Sequence, residues 1–257
     1  MKGFVTFLKK YKKFLLEILG IFFMLALYAI IAASINDNLI FPDFPHLFNA
    51  LGSILGESTT YTAFGYSLIR TLLALILSFG LAFIFGSIAG QYKGVRYFLS
   101  PIINVMKLIP TPCAVFVLFL FFFEQPEIGS FIVTFLVIFP ILYESFITGI
   151  DNIPEGIRLS LRLEGEHKLR SYFTVILPQS VQYLILGTTN SLGLGVKVSI
   201  MSEILLGTPK IQGIGQLIFN YKTNSEYPNM FAIIILIILL FAIIDIFVKL
   251  IKKIVNK

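Results

Sequence analysis

Residues 150–178, IDNIPEGIRLSLRLEGEHKLRSYFTVILP, decide the fold, because they interrupt a chain that is otherwise a series of apolar segments. The stretch contains four cations and three glutamates, namely Arg158, Arg162, Lys168, Arg170, Glu155, Glu164 and Glu166. Charged side chains are costly inside a bilayer. We therefore expect this stretch to lie in water between two membrane-spanning segments, where a soluble partner can bind it.

The rest of the chain has the composition of a polytopic membrane protein. Of its 257 residues 57% are hydrophobic and 13% are charged, whereas soluble domains contain about 25% charged residues. A bilayer core about 30 Å thick needs about 20 apolar helical residues. Six spans are predicted, around residues 18–35, 71–92, 108–123, 128–143, 171–196 and 230–244.

Cysteine and histidine usage argues against a metal centre or a catalytic site. The single cysteine, Cys113, cannot form a disulfide within the chain, and His46 and His167 are expected in loops on opposite sides of the membrane. An intramembrane enzyme needs a nucleophile with a base, or a metal cluster. We expect neither, so an intramembrane enzyme is not favoured.

The amino terminus has two interpretations. Its lysines, an apolar run and the sequence Ala32-Ala33-Ser34 have the order of a secretory signal. The apolar core of a signal is roughly 7–15 residues, and this run is longer. We expect a retained first helix.

The cations predict the orientation in the membrane. With both termini in the cytoplasm, 15 of the 20 lysines and arginines lie inside and only Lys210 and Lys222 lie outside. Positive charge is retained on the cytoplasmic side during insertion. This asymmetry accounts for the net charge of +6, so no nucleic-acid partner is expected.

The predicted outer loops are neutral or acidic. Residues 36–61 contain prolines and no cation, which indicates an external loop with a short surface helix. The turn at 124–127 contains two glutamates. These loops either dock a soluble partner or are ordinary solvated loop tips.

The polar stretch itself predicts a short helix followed by a return to the membrane. Pro154 and Glu155 suit the first turn of a helix, and Gly165 is typical of a turn between two helices. Pro178 marks the predicted start of the fifth span.

The spacing of this stretch resembles the coupling-loop signature of permease subunits of ATP-binding-cassette importers. In that signature a glycine is followed by nine residues and then hydrophobic-x-Leu-Pro, as Gly165, Val175, Leu177 and Pro178 are here. The family usually has Glu-Ala-Ala at the start, where this chain has Leu-Ser-Leu at 159–161.

Further motifs resemble the nitrate, sulfonate and taurine branch, which also includes permeases for vitamin precursors. They are residues 67–71 (SLIRT), 100–101, 109–112, 154–155, 191–203 (SLGLGVKVSIMSE) and 213–215. Together they cover roughly residues 61–250.

The resemblance implies an all-α membrane protein with the type I importer fold, in which five core helices follow an N-terminal helix. It divides the chain into residues 1–60 (tail, first helix and external loop), 61–250 (permease domain with its coupling loop at 151–178) and 251–257 (cytoplasmic tail). The expected location is the cell membrane.

The resemblance also implies partners: cytoplasmic ATPase subunits, a second permease copy, an extracytoplasmic substrate-binding protein and the surrounding lipid. No cofactor is expected on this chain, since it contains no GxxxxGK[ST] loop. ATP and Mg would bind the partner ATPase. The residues expected to couple to it are Pro154, Glu155, Arg158, Arg162, Glu164, Gly165, His167, Leu177 and Pro178.

The fifth span contains the residues predicted to line a translocation path. They are Asn190, Leu194, Lys197, Ser199 and Glu203. Lys197 either attracts an anionic substrate, pairs with a carboxylate, or extends outward to water. Glu203 is interpreted as a gate at the membrane surface or a helix contact.

Other charges near the spans have local interpretations. Arg70 and Lys107 begin apolar stretches and are expected to anchor them, while Glu144 and Asp245 are expected to pair locally. The prolines inside spans fit a moving pore and static packing equally well; they are Pro110, Pro112 and Pro140.

Two alternatives concern mechanism and substrate. An ion-driven secondary transporter often has internal repeats and charged relays, and no convincing repeat is found. A basic residue in the path favours small anions such as sulfonates, taurine or nitrate, and a vitamin precursor such as a thiamine pyrimidine or a riboflavin-like compound is the alternative. A homodimer of permeases is the default assembly.

Overall fold

The structure, a computed structural model, describes residues 2–35, 37–38, 40–163 and 168–255, and all regular elements in these ranges are helical. The helices are α1 (Lys2–Ile35), α2 (Phe44–Gly56), α3 (Ser58–Gln91), α4 (Lys93–Leu108), α5 (Thr111–Phe121), α6 (Pro126–Asp151), α7 (Glu155–Leu163), α8 (Lys168–Ser171), a π-helical turn (Tyr172–Ile176), α9 (Leu177–Leu206), α10 (Ile214–Thr223) and α11 (Tyr227–Val255).

The chain forms two compact units. The first combines the residues up to Glu57 with Tyr221–Ile235, and the second combines Ser58–Asn220 with Leu236–Lys257. The last helix, α11, is divided between them. The residues that we discuss as functional lie in the second unit.

Five of the predicted spans are single long apolar helices. They are Phe14–Ile35, Ser58–Gln91, Pro126–Asp151, Tyr172–Leu206 and Tyr227–Lys253. The third predicted span, residues 108–123, covers the end of α4 and the whole of α5, which form a pair bent by 96° at a short break.

The break follows from the prolines. Ile109 is extended, with φ −68° and ψ 118°, and Pro110 is extended as well. A proline disfavours helical backbone in the residue before it and cannot donate a helical hydrogen bond. At 11 residues, α5 rises only about 16 Å, so it crosses a bilayer only together with part of α4. Pro140, in contrast, lies inside the unbroken helix α6.

Helices α3, α6 and α9 form the centre of the second unit. Their core contains Leu75, Ala82, Ala89, Ile138, Phe139, Leu142, Tyr143, Phe146, Ile147 and Leu184. Helix α3 begins 13 residues before the predicted start at Thr71, and α9 continues past the predicted end at Val196. The predicted spans are shorter because Arg70 precedes the apolar run of α3, and Lys197 and Glu203 follow the apolar run of α9.

Small residues allow these three helices to approach closely. A Cβ on Gly149 of α6 would lie 2.9 Å from the Cβ of Ser180 and 3.2 Å from its carbonyl oxygen on α9. Lipid tails are as apolar as leucine, so helices in a bilayer associate through close packing of this kind.

The first unit contains the short helix that the sequence predicts between the first two spans. Asp43 caps α2 by accepting hydrogen bonds from the backbone N–H of His46 at 3.0 Å and from its ring at 2.6 Å. These bonds hold the pKa of Asp43 below its usual range. Tyr28 of α1 donates to the Pro42 carbonyl at 2.6 Å, which connects the first helix to this segment.

Adding one methyl group at the α6–α9 contact should destabilise the protein. We expect Gly149→Ala to lower the free energy of unfolding by about 1–3 kcal/mol, because the backbone carbonyl of Ser180 cannot rotate away. A methyl group added to Gly80 of α3 would meet nothing within 4 Å, so Gly80→Ala is the matched control. It should be neutral or stabilising by up to about 1 kcal/mol. Thermal unfolding in detergent measures both, and equal midpoints would contradict the packing described here.

Candidate functional site: the coupling segment and the α9 faces

Helix α7 begins where the sequence predicts. Pro154 directly precedes it, and the Pro154 carbonyl accepts hydrogen bonds from the backbone N–H groups of Ile157 at 3.0 Å and Arg158 at 3.3 Å. Glu155 occupies the first turn, where a carboxylate is favoured by the helix dipole.

The start of α7 is fixed to the end of α6. The guanidinium group of Arg158 donates a hydrogen bond to the carbonyl of Ile150 in the last turn of α6, and Ile153 in the connection is buried. Because the connection is short and hydrogen-bonded and its central residue, Ile153, is buried, α7 and α6 are joined without a flexible linker.

Two leucines of α7 are uncovered. Leu159 and Leu163, one turn apart, are 56% and 81% exposed. Of the other predicted coupling residues, Glu164, Gly165 and His167 lie outside the described residues, as does the side chain of Arg162. The turn at Gly165 therefore stays a prediction.

The return to the membrane runs through the π-helical turn. The fifth span begins at Leu177 with Pro178 in its first turn, as predicted. Buried Tyr172 in the π turn has its hydroxyl 2.5 Å from the Ser87 hydroxyl of α3. This bond joins the start of the α9 span to α3.

The five predicted path residues lie on two different faces of α9. Asn190, Leu194 and Lys197 are exposed and line one side of a cavity of about 500 Å³, whose other side is α11. The Lys252 ammonium donates to the Asn190 side-chain oxygen at 3.0 Å. Ser199 and Glu203 are fully buried elsewhere in the unit, so the structure does not bring all five together.

Glu203 is the centre of a buried polar cluster. Its carboxylate accepts hydrogen bonds from the guanidinium of Arg70, from the Ser67 hydroxyl at 2.8 Å and from the Gly215 backbone N–H at 2.9 Å. The Ser199 hydroxyl adds a longer bond at 3.3 Å. Glu203 is 0% exposed, and a carboxylate is stable there only because it is paired and fully hydrogen-bonded.

The anchor interpretation of Arg70 is wrong. Arg70 is 7% exposed, and the amine that does not contact Glu203 donates a hydrogen bond to the Gln212 carbonyl at 2.9 Å and also lies 3.5 Å from the Glu127 carboxylate of α6. The Arg70–Glu203 pair therefore joins α3 to α9 and to the segment before α10. Sequence reasoning missed this pair because each charge was considered within its own span.

Two further pairs of charged residues near the spans are local. Lys107 lies 2.5 Å from Glu144, and Lys249 lies 2.6 Å from Asp245. The local pairing predicted for Glu144 and Asp245 is confirmed. Within the described ranges no group of three or more histidines, cysteines, aspartates or glutamates is arranged to hold a metal ion.

Comparison with known proteins gives a family match over most of the chain. The family described as "Binding-protein-dependent transport system inner membrane component" matches residues 82–257.

Three curated relatives belong to one branch. A Bacillus subtilis protein that carries the name aliphatic sulfonates transport permease protein SsuC is 27% identical over 73% of this chain and 66% of its own length. The nitrate import permease protein NrtB of Synechocystis is 25% identical over 80% of this chain and 70% of its own length. The taurine transport system permease protein TauC of Escherichia coli is 24% identical over 63% of this chain and 58% of its own length. The chain thus matches about two thirds of the length of these relatives.

Solved structures show the same fold. The inward-facing MetNI methionine ABC transporter is 19% identical, with a TM-score of 0.59 over 74% of this chain and 94% of the solved chain. An amino acid ABC transporter is 13% identical, with a TM-score of 0.63 over 75% of this chain and 92% of the solved chain. The predicted all-helical importer-permease fold is confirmed.

Removing one member of the buried pair should be far more damaging than breaking an exposed pair. We expect Arg70→Met to destabilise the protein by about 3–5 kcal/mol, because the Glu203 carboxylate is left buried without its cation. The double variant Arg70→Met with Glu203→Leu should recover most of this loss.

Lys107→Met, which breaks the half-exposed pair with Glu144, is the control and should cost at most about 1 kcal/mol. Thermal unfolding of the wild-type protein and the three variants in detergent measures these differences. If the Arg70 and Lys107 variants lost the same stability, the buried pair would not have the role assigned to it.

Proposed function

The chain belongs to the family of inner membrane components of binding-protein-dependent transport systems, and on this premise we propose that it is the permease subunit of an ATP-driven importer. In this function it forms the path for a small anionic solute across the cell membrane and has no catalytic site of its own. A separate cytoplasmic ATPase binds ATP and Mg and hydrolyses the nucleotide.

The observation that carries this proposal is the combination found in α7. Two leucines are uncovered on one side, Leu159 and Leu163, while Arg158 on the same short helix is bonded to the end of α6. An exposed apolar pair on a charged helix favours a protein partner that covers it. The bond to α6 means that a displacement of α7 by that partner is transmitted to a membrane-spanning helix.

The packing of the second unit supports transmission beyond α6. Helices α6 and α9 share the close contact at Gly149, and a short hydrogen bond of 2.5 Å joins Ser130 of α6 to Ser202 of α9. Tyr172 and Glu203 then join the two ends of α9 to α3. We propose that α3, α6 and α9 move together with α7 as one rigid body.

Alternating access needs two states that ligands bind with different affinity. In the proposed cycle, ATP closes the two ATPase subunits and draws their attached α7 helices together. The rigid bodies of two permease copies then change their mutual arrangement and open the path to the other side. In our proposal the broken span formed by α4 and α5 lies outside this rigid body and moves separately. The prolines at 110 and 112, which break this span, are consistent with such a motion.

The nature of the substrate is supported by the relatives and by Lys197. The relatives are named for aliphatic sulfonates, nitrate and taurine, all of which contain an anionic group. Lys197 places a cation on the exposed face of α9. We propose that the path lies along this face, beginning with Asn190 and Leu194, and that Ser199 and Glu203 support the helix from its buried side.

The proposed assembly contains two permease copies, two ATPase subunits and an extracytoplasmic substrate-binding protein that delivers the solute. Both termini of the chain lie in the cytoplasm, as the distribution of lysine and arginine predicts. The ATPase covers the two leucines of α7, while the surrounding lipid covers the apolar face of α1, whose most apolar window contains no buried residue.

Charged substitution of the uncovered leucines should separate insertion from transport. We expect Leu163→Asp to leave membrane insertion unchanged and to abolish uptake and substrate-stimulated ATPase activity, because an uncompensated carboxylate would enter the partner interface. Asn152→Asp, at an exposed position in the connection before α7, is the matched control and should retain uptake. Co-purification of the ATPase with each variant measures docking directly.

Larger changes in the coupling loop test whether the whole segment is needed to transmit movement from the ATPase. Gly165→Trp, or deletion of residues 158–165, should likewise abolish uptake while the protein still inserts. Normal uptake by either variant would refute the role of this segment in coupling.

The energy source distinguishes the proposal from an ion-driven transporter. In cells that depend on this chain for taurine or alkanesulfonate uptake, we expect uptake to stop when ATP is depleted while the ion gradients are clamped. Uptake that persists without ATP and stops when the gradients collapse would identify a secondary transporter instead.

A further inference from the structure

Lys197 lies well inside its spanning helix and has a different kind of contact from three other cations in the described spans. Arg70 has two carboxylates within reach, Lys249 pairs with Asp245, and Lys252 donates to Asn190. For Lys197 the described contact is with the face of the Phe241 ring, whose centroid is 5.4 Å from the ammonium nitrogen. A cation in a spanning helix with an aromatic ring but no anion has room for an anionic ligand.

The space beside this ammonium is large enough for such a ligand. The cavity of about 500 Å³ between α9 and α11 lies within the range of small-molecule sites. Lys252 lies on the same cavity, and the pairing of Asp245 with Lys249 at 2.6 Å reduces the repulsion that this carboxylate would exert on an anion. The lining therefore favours negative charge.

The rest of the lining is apolar. Leu194, Phe241, Ile244 and Val248 line the cavity together with the polar groups. An inorganic anion such as nitrate would use only the charged part of this surface. An anion with an aliphatic chain would use both parts, because its chain removes apolar surface from water.

We propose that the cavity between α9 and α11 is a binding site for a short aliphatic anion, for which an alkanesulfonate is the probe, with the anionic group at Lys197 and the chain against Phe241 and its apolar neighbours. This proposal rests on the proposed function, since it names the substrate class of that path. It assigns a binding role to α11, where the residue pattern predicts only local pairing at Asp245.

Thiol labelling of the full-length chain in membranes tests the site without requiring transport. Cys113 is replaced by serine, so that Leu194→Cys carries the only thiol. Rates of modification are compared for two methanethiosulfonate reagents, one with a sulfonatoethyl group and one with a trimethylammonioethyl group. Ile243→Cys, exposed on α11 but outside the cavity lining, is the matched control and should react slowly with both.

We expect the anionic reagent to modify Leu194→Cys faster than the cationic one. The ratio of the two rates should fall about tenfold when Lys197→Gln is added, and Lys197→Arg should restore it. Butanesulfonate should protect the thiol at concentrations at which nitrate does not. Uptake of butanesulfonate by the Lys197→Gln protein should be lost, with the Lys197→Arg protein retaining it.

Several results would overturn the site. Leu194→Cys that reacts no faster than Ile243→Cys would mean that lipid or a second copy covers the cavity. A rate ratio that is the same with glutamine at position 197 would mean that Lys197 does not set the local potential. Equal protection by nitrate and butanesulfonate would remove the role of the apolar wall. The labelling experiment does not depend on transport, so its result would hold even if the wild-type chain were not an ATP-driven importer. Failure of the binding site and failure of the proposed function can therefore be distinguished.

Discussion

The buried ion pair between Arg70 and Glu203 is the interaction on which the arrangement of the second unit depends. Two opposite charges inside apolar helices are tolerated because each satisfies the other and because Ser67 and Gly215 complete the hydrogen bonds. The pair fixes the last turn of α9 against α3 about a third of the way along α3. The bond between Tyr172 and Ser87 fixes the start of the α9 span near the end of α3, so neither helix can slide or rotate alone without breaking a buried polar contact.

This constraint gives α9 two distinct sides. The buried side, with Ser199 and Glu203, is fully used in holding α3 and α6. The exposed side, with Asn190 and Lys197, faces a cavity and the loosely associated end of α11. A helix that is immobilised on one side and open on the other is suited to line a path, because its polar groups keep their positions while the opposite wall changes.

Much of the fold follows from the sequence because hydrophobic length and charge distribution are strong signals in membrane proteins. The spans, the helix between the first two of them, and the helix start at Pro154 and Glu155 are all found in the structure. The prolines at 110 and 112 indicate a break in the third span, but the size of the bend, 96°, was not predicted, because a sum of hydropathy over residues 108–123 does not register a change of direction. The buried pair was not predicted because its members are 133 residues apart in the chain, and only packing brings α3 and α9 together. The candidate path residues on α9 were predicted as one set because the sequence shows that they are in the same span. It does not show which side of the helix packs against other helices.

The central claim is that α7 moves together with the α3–α6–α9 body. Distances between spin labels in the assembled importer, with and without bound ATP, test it most directly. One label is placed at Ser160 of α7 and another at Tyr66 of α3, both exposed positions. With labelled chains diluted by unlabelled ones, the account predicts that the Ser160–Tyr66 distance within one chain stays the same when ATP binds. The distance between the Ser160 labels of two copies should shorten. A changed distance within the chain, with an unchanged distance between copies, would contradict it.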